Sequence, residues 1–224
     1  MPADVGSAAE HEKRVAAAAA AELVENGMSV GLGTGSTVAH FLLALAARRL
    51  ELRCVATSPA TESAARALGL DVLPFEGHDA LARLDLAVDG ADQVAANGWV
   101  VKGGGGALTR EKVVAAAAER VVMIVSADKL VERVAPPIPL ELLAFGSSST
   151  LDRLGHARRR ESPPTPDGGV LADWLGPVAD PGALASTLAS TAGVVDHGLF
   201  PPELVSDVLV GRGDAVELTP GGRG

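Results

Sequence analysis

Lys102-Gly103-Gly104-Gly105-Gly106-Ala107-Leu108-Thr109-Arg110-Glu111-Lys112 puts a cation, four bare peptide units and a carboxylate into one short stretch. Consecutive glycines are costly to order, because glycine loses more backbone freedom on folding than any other residue. They make sense where backbone N–H groups must come close to a ligand. The helix-forming run Ala107 to Glu119 follows directly, so the loop feeds a helix N-terminus, with its free N–H donors and positive dipole end. Lys102 adds charge at the loop entrance, and Glu111 lies about one turn into the helix. The segment reads as an anion cradle with a cation and a carboxylate beside it. It is not a Walker loop, whose lysine follows the glycines and precedes Ser or Thr. The plain alternative is a glycine-rich turn in front of a helix.

Two further segments carry chemistry. Ser29-Val30-Gly31-Leu32-Gly33 is a short apolar strand pattern followed by Thr34-Gly35-Ser36-Thr37 and a helical run from Val38 to Arg48. Strand, small polar loop and helix is the phosphate-binding order of open α/β sheets. A dinucleotide fingerprint would need glycine where Ser36 stands and an acid at the end of the next strand, Leu52 to Ala56; Glu51 lies at its start. A nicotinamide cofactor is therefore disfavoured. The third segment, Leu84 to Asp92, is an apolar strand ending in Asp89-Gly90-Ala91-Asp92. Two carboxylates at a strand's carboxyl end can accept hydrogen bonds from hydroxyls, move protons or bind a metal; an Asx turn with a helix cap is the structural alternative.

The elements that position these loops alternate. Helix pattern is predicted for Ala8 to Glu25, Val38 to Arg48, Pro59 to Leu68 and Leu108 to Glu119. Strands are predicted at Ser29 to Gly33, Leu52 to Ala56, Asp71 to Leu73, Leu84 to Val88 and Arg120 to Ser126. This alternation predicts an α/β fold with a doubly wound, mostly parallel, Rossmann-like sheet. Pro136-Pro137-Ile138-Pro139 interrupts it. Short elements then follow: a helix at Ser148 to Leu154, strands near Ala157 to Glu161 and Gly169 to Asp173, a helix at Pro181 to Ser190 and a strand at Val194 to Asp196. The predicted division is a main α/β catalytic domain, residues 1–136 and 203–224, and a smaller α+β domain, residues 137–202. Leu204 to Val210 is apolar enough to rejoin the main sheet, and Gly221 to Gly224 is expected to be disordered.

Taken together, the three motifs resemble the type A ribose-5-phosphate isomerases. The resemblance rests on Gly31 to Thr37, on Asp89-Gly90-Ala91-Asp92 and on Lys102 to Lys112, with Ser126-Ala127-Asp128-Lys129 as a further element. It covers nearly the whole chain and is sharp up to Lys129. It implies an aldose–ketose isomerase of the non-oxidative pentose phosphate pathway, working through a cis-enediol, without a cofactor or metal. It also implies a homo-oligomer, dimer or tetramer. Glu111 is then the base that moves the proton between C2 and C1. Lys102 and the N–H groups of Gly103, Gly104 and Gly105 stabilise the oxyanion, and Asp89 or Asp92 opens the furanose ring and holds hydroxyls. By resemblance Thr34, Gly35, Ser36, Thr37 and Lys129 bind substrate near its phosphate, with Lys13 a further contributor. The chain departs from the family pattern at Gln93, where glutamate is usual, and at Thr165-Pro166-Asp167-Gly168-Gly169.

Composition agrees. The chain has 224 residues, 47% hydrophobic and 21% charged, and a net charge of −9, a globular composition that does not suit a nucleic-acid surface. No apolar run reaches the ~18 residues of a membrane span, and Met1 to Glu12 has no signal-peptide pattern. The single cysteine, Cys54, fits a reducing cytoplasm and a buried, inert role. His11, His40, His78, His156 and His197 are scattered without ligand spacing, as expected of surface or capping residues. A related amino-sugar-phosphate isomerase or lactonase would bring a histidine to the acid/base motifs, and none contains one. A sugar-phosphate-sensing regulator would need a DNA-binding segment, and Arg158-Arg159-Arg160 is too short to supply it.

Overall fold

A computed structural model describes residues 5–77 and 80–223. His78 and the first four residues of the N-terminal segment therefore lie outside the described residues, as does Gly224.

A six-stranded sheet forms the larger layer. Its strands are β1 (Ser29–Leu32), β2 (Arg53–Ala56), β3 (Leu84–Asp89), β6 (Ala118–Ser126), β13 (Asp207–Arg212) and β14 (Ala215–Pro220). The order is β14-β13-β6-β3-β1-β2. All neighbours run parallel except the β13–β14 hairpin. The inner strands are near-continuous runs of Val, Leu, Ile and Ala, as strands covered on both faces must be. Helix α1 (Val5–Ala21) packs on α2 (Ser36–Ala47) to bury one face, where Phe41 and Leu45 are fully enclosed. The opposite face is covered by α4 (Leu108–Ala117), whose Val114 and Ala115 meet Ala87, Val121 and Met123. Helix α3 (Pro59–Ala67) packs beside β2 and α2 and is capped by the Ser58 side chain, which accepts from the Thr61 amide.

Two smaller sheets follow. One contains β8 (Ile138–Leu142), β9 (Ala157–Arg159), β10 (Val170–Trp174) and β11 (Val194–His197) in the order β11-β8-β10-β9, with α5 (Ser147–Leu154) and α6 (Pro181–Ser190) beside it. The other joins β4 (Gln93–Ala95), β5 (Val100–Val101), β7 (Leu130–Val131) and β12 (Leu199–Phe200) in the order β12-β5-β4-β7.

The α/β architecture agrees with the sequence expectation; several details differ. Asp71 to Leu73 contributes only an isolated bridge from Val72 to Cys54 rather than a strand. The first helix stops at Ala21, because Glu22 to Gly27 form turns in front of β1. The sequence does not signal the β4–β5 hairpin, β7 or β14, which are too short or too exposed to leave a clear periodicity. Leu209 and its neighbours do rejoin the main sheet, parallel to β6. Gly221 to Arg223, expected to be disordered, are tied down: the Gly221 amide donates to the Ser206 carbonyl and that of Arg223 to the Val205 carbonyl. Cys54 is buried, and burial pushes its thiol up to about 12. His197 is buried too, with Lys112 Nζ 3.4 Å from Nδ1, contrary to the surface role expected of it.

Candidate active site

The sheet order reverses between β1 and β3, since β1 leads outward to β2 on one side while β3 continues to β6 on the other. Ligands of open α/β sheets settle outside the carboxyl ends of strands at such a switch point. The Gly33–Thr37 loop leaves β1 there, and the Asp89–Asp92 turn leaves β3 beside it. Gly33 is required by this closeness, because a Cβ on it would lie 2.0 Å from the Asp89 carboxyl carbon. Strand β5 approaches from the small four-stranded sheet and delivers Lys102. Its backbone is fixed by donation from the Lys102 amide to the Gly198 carbonyl at 2.9 Å.

These loops surround a cavity of about 170 Å³. Its lining includes Thr34, Gly35, Ser36 and Thr37 from the first loop, Lys13 and Lys129, and Asp92, Gly103, Gly104 and Gly105 from the other two loops. Lys102 and Glu111 form its floor. Asp89 lies behind Lys102, beneath the floor rather than on it. Gly90 and Ala91, which stand inside the aspartate motif and whose side chains carry no chemistry for the sequence to signal, complete the lining.

The floor is a buried charge cluster. Lys102 Nζ stands 3.0 Å from Asp89 Oδ2 and 3.4 Å from Glu111 Oε2 and donates to the Gly90 carbonyl at 2.5 Å. Asp89 Oδ1 also accepts from the amides of Thr34 and Gly90, at 3.1 and 2.7 Å. Glu111 Oε2 is buried with no aligned hydrogen-bond donor. Burial opposes the charge on Lys102, but Asp89 and Glu111 outweigh it and hold the ammonium charged. Burial pushes the Asp89 carboxyl up, against Lys102 and the two amides. Burial likewise pushes Glu111 up to about 8, with Lys102 opposing and the negative Asp89 adding to the rise. One ammonium cannot neutralise two buried carboxylates, and Glu111, which lacks amide donors, takes up the proton more readily. A carboxylate with its pKa near neutrality is suited to accept and return a proton.

The sequence-predicted residues thus meet in one place, with two differences in detail. The Gly104 amide is not free in this state: it donates to Asp92 Oδ2 at 2.7 Å. The Thr34 hydroxyl pairs with that of Thr57 at 2.8 Å, and the Thr34 amide is held by Asp89. By contrast, α2 is preceded by Gly35, at φ of +121°, and has no side-chain cap. Its first amides, the Ser36 hydroxyl and Lys13, whose Nζ lies 3.0 Å from Ser36 Oγ, converge on the same wall.

Gln93, the departure from the expected glutamate, faces away from the cavity. Its side chain donates to the Ala135 carbonyl at 2.7 Å and accepts from the Ala135 amide at 2.9 Å. A carboxylate could keep only the second bond. Gln93→Glu should therefore cost about 1 kcal/mol of stability and change kcat/KM by less than about tenfold; thermal melts and steady-state rates check both.

Comparison with known proteins identifies the family. The family model for ribose 5-phosphate isomerase A (phosphoriboisomerase A) matches residues 53–215. A ribose-5-phosphate isomerase A from Caulobacter sp. (strain K31) is 43% identical, covering 95% of this chain and 99% of its own. The crystal structure of ribose 5-phosphate isomerase A from Neisseria gonorrhoeae superposes with a TM-score of 0.88 at 27% identity, covering 94% of this chain and 96% of its own. A structure of D-ribose-5-phosphate isomerase in complex with phospho-erythronic acid gives 0.87 at 28% identity, covering 95% and 99%. The chain belongs to the ribose 5-phosphate isomerase A family.

Proposed function

We propose that this chain interconverts D-ribose 5-phosphate and D-ribulose 5-phosphate by proton transfer through a cis-enediolate, with Glu111 as the base. The observation that carries the reading is the buried Lys102–Glu111 pair at 3.4 Å in a cavity also lined by an uncapped helix N-terminus. The substrate phosphate sits at the start of α2, on the amides of Gly35, Ser36 and Thr37, with Lys13 and Lys129 as cations. This places C1 and C2 over the floor. Glu111 takes the proton from C2 and returns it to C1. Lys102 and the glycine-loop amides stabilise the oxygen that becomes negative. Asp92, exposed at the cavity wall, is the group that can exchange protons with the ring oxygen and the C1 hydroxyl during ring opening. Asp89, saturated by Lys102 and two amides, orients Lys102 instead. Phospho-erythronic acid, held by one structural relative, supports the reading. Its carboxylate next to a hydroxylated carbon has the charge and planarity of an enediolate.

The main domain of residues 1–136 and 203–224 and the small domain of residues 137–202 are proposed on the same footing. Support comes from the separate β11-β8-β10-β9 sheet, with its own core around Ile138, Leu140 and Leu188. A cytoplasmic homo-oligomer without metal or cofactor completes the proposal. Among the described residues no helix is long and apolar enough to cross a membrane.

The assay that tests this is conversion of ribose 5-phosphate beside that of ribose, each with and without EDTA. Ribose 5-phosphate should turn over equally with chelator, and ribose at less than a thousandth of that kcat/KM, because remote phosphate binding positions the reacting carbons. Activity lost with EDTA and restored by Mg²⁺ would redirect attention to Asp89 and Asp92.

The base also sets the pH dependence. Glu111 must be ionised to accept a proton, and its pKa of about 8 belongs to a coupled cluster. kcat/KM should rise about tenfold per pH unit below that value and level off above it, as initial rates from pH 6 to 9.5 would record. A flat profile across this range would contradict the role of Glu111.

A further inference from the structure

The last arginine of the Arg158-Arg159-Arg160 cluster has a definite place. Its Nε and Nη2 form a two-point pair with Asp173 at 2.7 and 2.6 Å, and Nη1 donates to the Gly103 carbonyl at 2.9 Å. Arg160 follows β9, and Asp173 lies on β10, so both come from the small sheet while Gly103 belongs to the glycine loop. On the other side of the same peptide unit, the Gly104 amide donates to Asp92 Oδ2 at 2.7 Å. The Gly103–Gly104 peptide is therefore held at both ends, its carbonyl by Arg160 and its amide by Asp92. The Gly106 amide also donates to the Gly103 carbonyl, at 3.1 Å, so that oxygen takes one backbone donor from within the loop and one side-chain donor from the small sheet. Gly103 has φ of +105° and sits under Pro139 and Leu108, where a Cβ would lie 2.8 and 2.9 Å from theirs. A loop of glycines has many alternative peptide orientations. A two-point arginine–carboxylate pair is geometrically rigid and so fixes where the third donor points.

We infer that Arg160 is a positioning residue: by holding the Gly103 carbonyl outward it fixes the glycine loop, with the Gly104 amide on Asp92 and the Gly105 amide, which has no partner among the described residues, left for the oxygen that becomes negative during proton transfer. This rests on the function proposed above. Preorganised donors act on the transition state more than on bound substrate. Loss of Arg160 should therefore lower kcat and leave the phosphate subsite at the start of α2, which Arg160 does not touch, unaffected.

The test measures Arg160→Ala and Asp173→Asn beside the wild type, in three readouts. For Arg160→Ala, kcat for ribose 5-phosphate should fall about thirtyfold or more with KM changed less than threefold. The inhibition constant of phospho-erythronic acid should rise at least tenfold, while that of inorganic phosphate stays within twofold. Guanidinium chloride at tens of millimolar should restore part of kcat to Arg160→Ala and nothing to Asp173→Asn. Asp173→Asn, which keeps the arginine, should show the same pattern with smaller changes and carries the test if Arg160→Ala does not fold. The inference is overturned if kcat of the folded variants stays within threefold of wild type. It is equally overturned if phospho-erythronic acid and inorganic phosphate weaken together, as general loosening of the fold would require. Failure of the functional reading looks different: the wild type itself would then not convert ribose 5-phosphate, and the inference would fall with it.

Discussion

Glu111→Gln should lower kcat by at least four orders of magnitude while ribose 5-phosphate still binds with an affinity within about fivefold of wild type. The amide keeps the volume of the side chain but cannot take a proton from C2, and the floor holds no second base. Asp89 is the nearest other carboxylate, and its oxygens are occupied by Lys102 and the amides of Thr34 and Gly90. Equal losses in kcat and kcat/KM are the signature of an interaction made only in the transition state. The variant carries its own control for folding. Glutamate in the unfolded chain ionises near 4.5, whereas Glu111 in the folded protein ionises near 8. A carboxyl whose pKa is raised on folding favours the folded state below the lower value, and that advantage is lost as pH rises to the upper one. At pH 9 the wild type bears the full cost of a buried carboxylate and the glutamine variant does not, so Glu111→Gln should melt at a higher temperature there. Binding by calorimetry, steady-state rates and melts at pH 5 and 9 test the three parts. A variant retaining more than a tenth of wild-type turnover would exclude Glu111 as the base.

Lys102→Met should be almost as damaging, for a different reason. The ammonium is 3% exposed and is the cation between two buried carboxylates. Its loss removes a donor to the developing oxyanion, typically worth about 3–4 kcal/mol, or roughly 10²–10³ in kcat. It also removes the charge that opposes the rise of the Glu111 pKa, so the base stays protonated to higher pH. The expected result is a fall of at least three orders of magnitude at pH 7.5, with the rising limb of the pH profile displaced to higher pH. KM should change little, because the phosphate is held elsewhere. An unshifted profile would mean that Lys102 does not set the state of Glu111. A rise in KM with kcat preserved would place Lys102 in the phosphate subsite.

Much of the site was legible because each motif is contiguous and its chemistry is carried by residue type. Four glycines before a helix announce close backbone approach, and Asp89-Gly90-Ala91-Asp92 announces carboxylates at a strand end. What the sequence could not supply is which carboxylate is free. Asp89 and Asp92 look equivalent along the chain. They differ because β3 ends at Asp89, directing it into the layer under Lys102, while Asp92 emerges on the loop beyond. Arg160 and Asp173 were illegible as a pair, since they meet Gly103 only through antiparallel β9–β10 pairing. The short strands β4, β5 and β7 hold two or three residues each, too few for any period to register. Gln93 is the clearest case of meaning that depends on the fold. As a sequence departure it raised the question of a missing acid, and in the fold it is a hydrogen-bonding amide facing Ala135.

The central claim, that one carboxylate moves the proton between neighbouring carbons, is tested most directly by running the reaction in D₂O and following it by NMR. A single base on one face of an enediolate predicts ribulose 5-phosphate with at most one deuterium at C1, confined to one of its two prochiral positions, and no labelled or unlabelled product from Glu111→Gln. Deuterium at both C1 positions in initial product, or the same labelled product formed at an undiminished rate by Glu111→Gln, would contradict it.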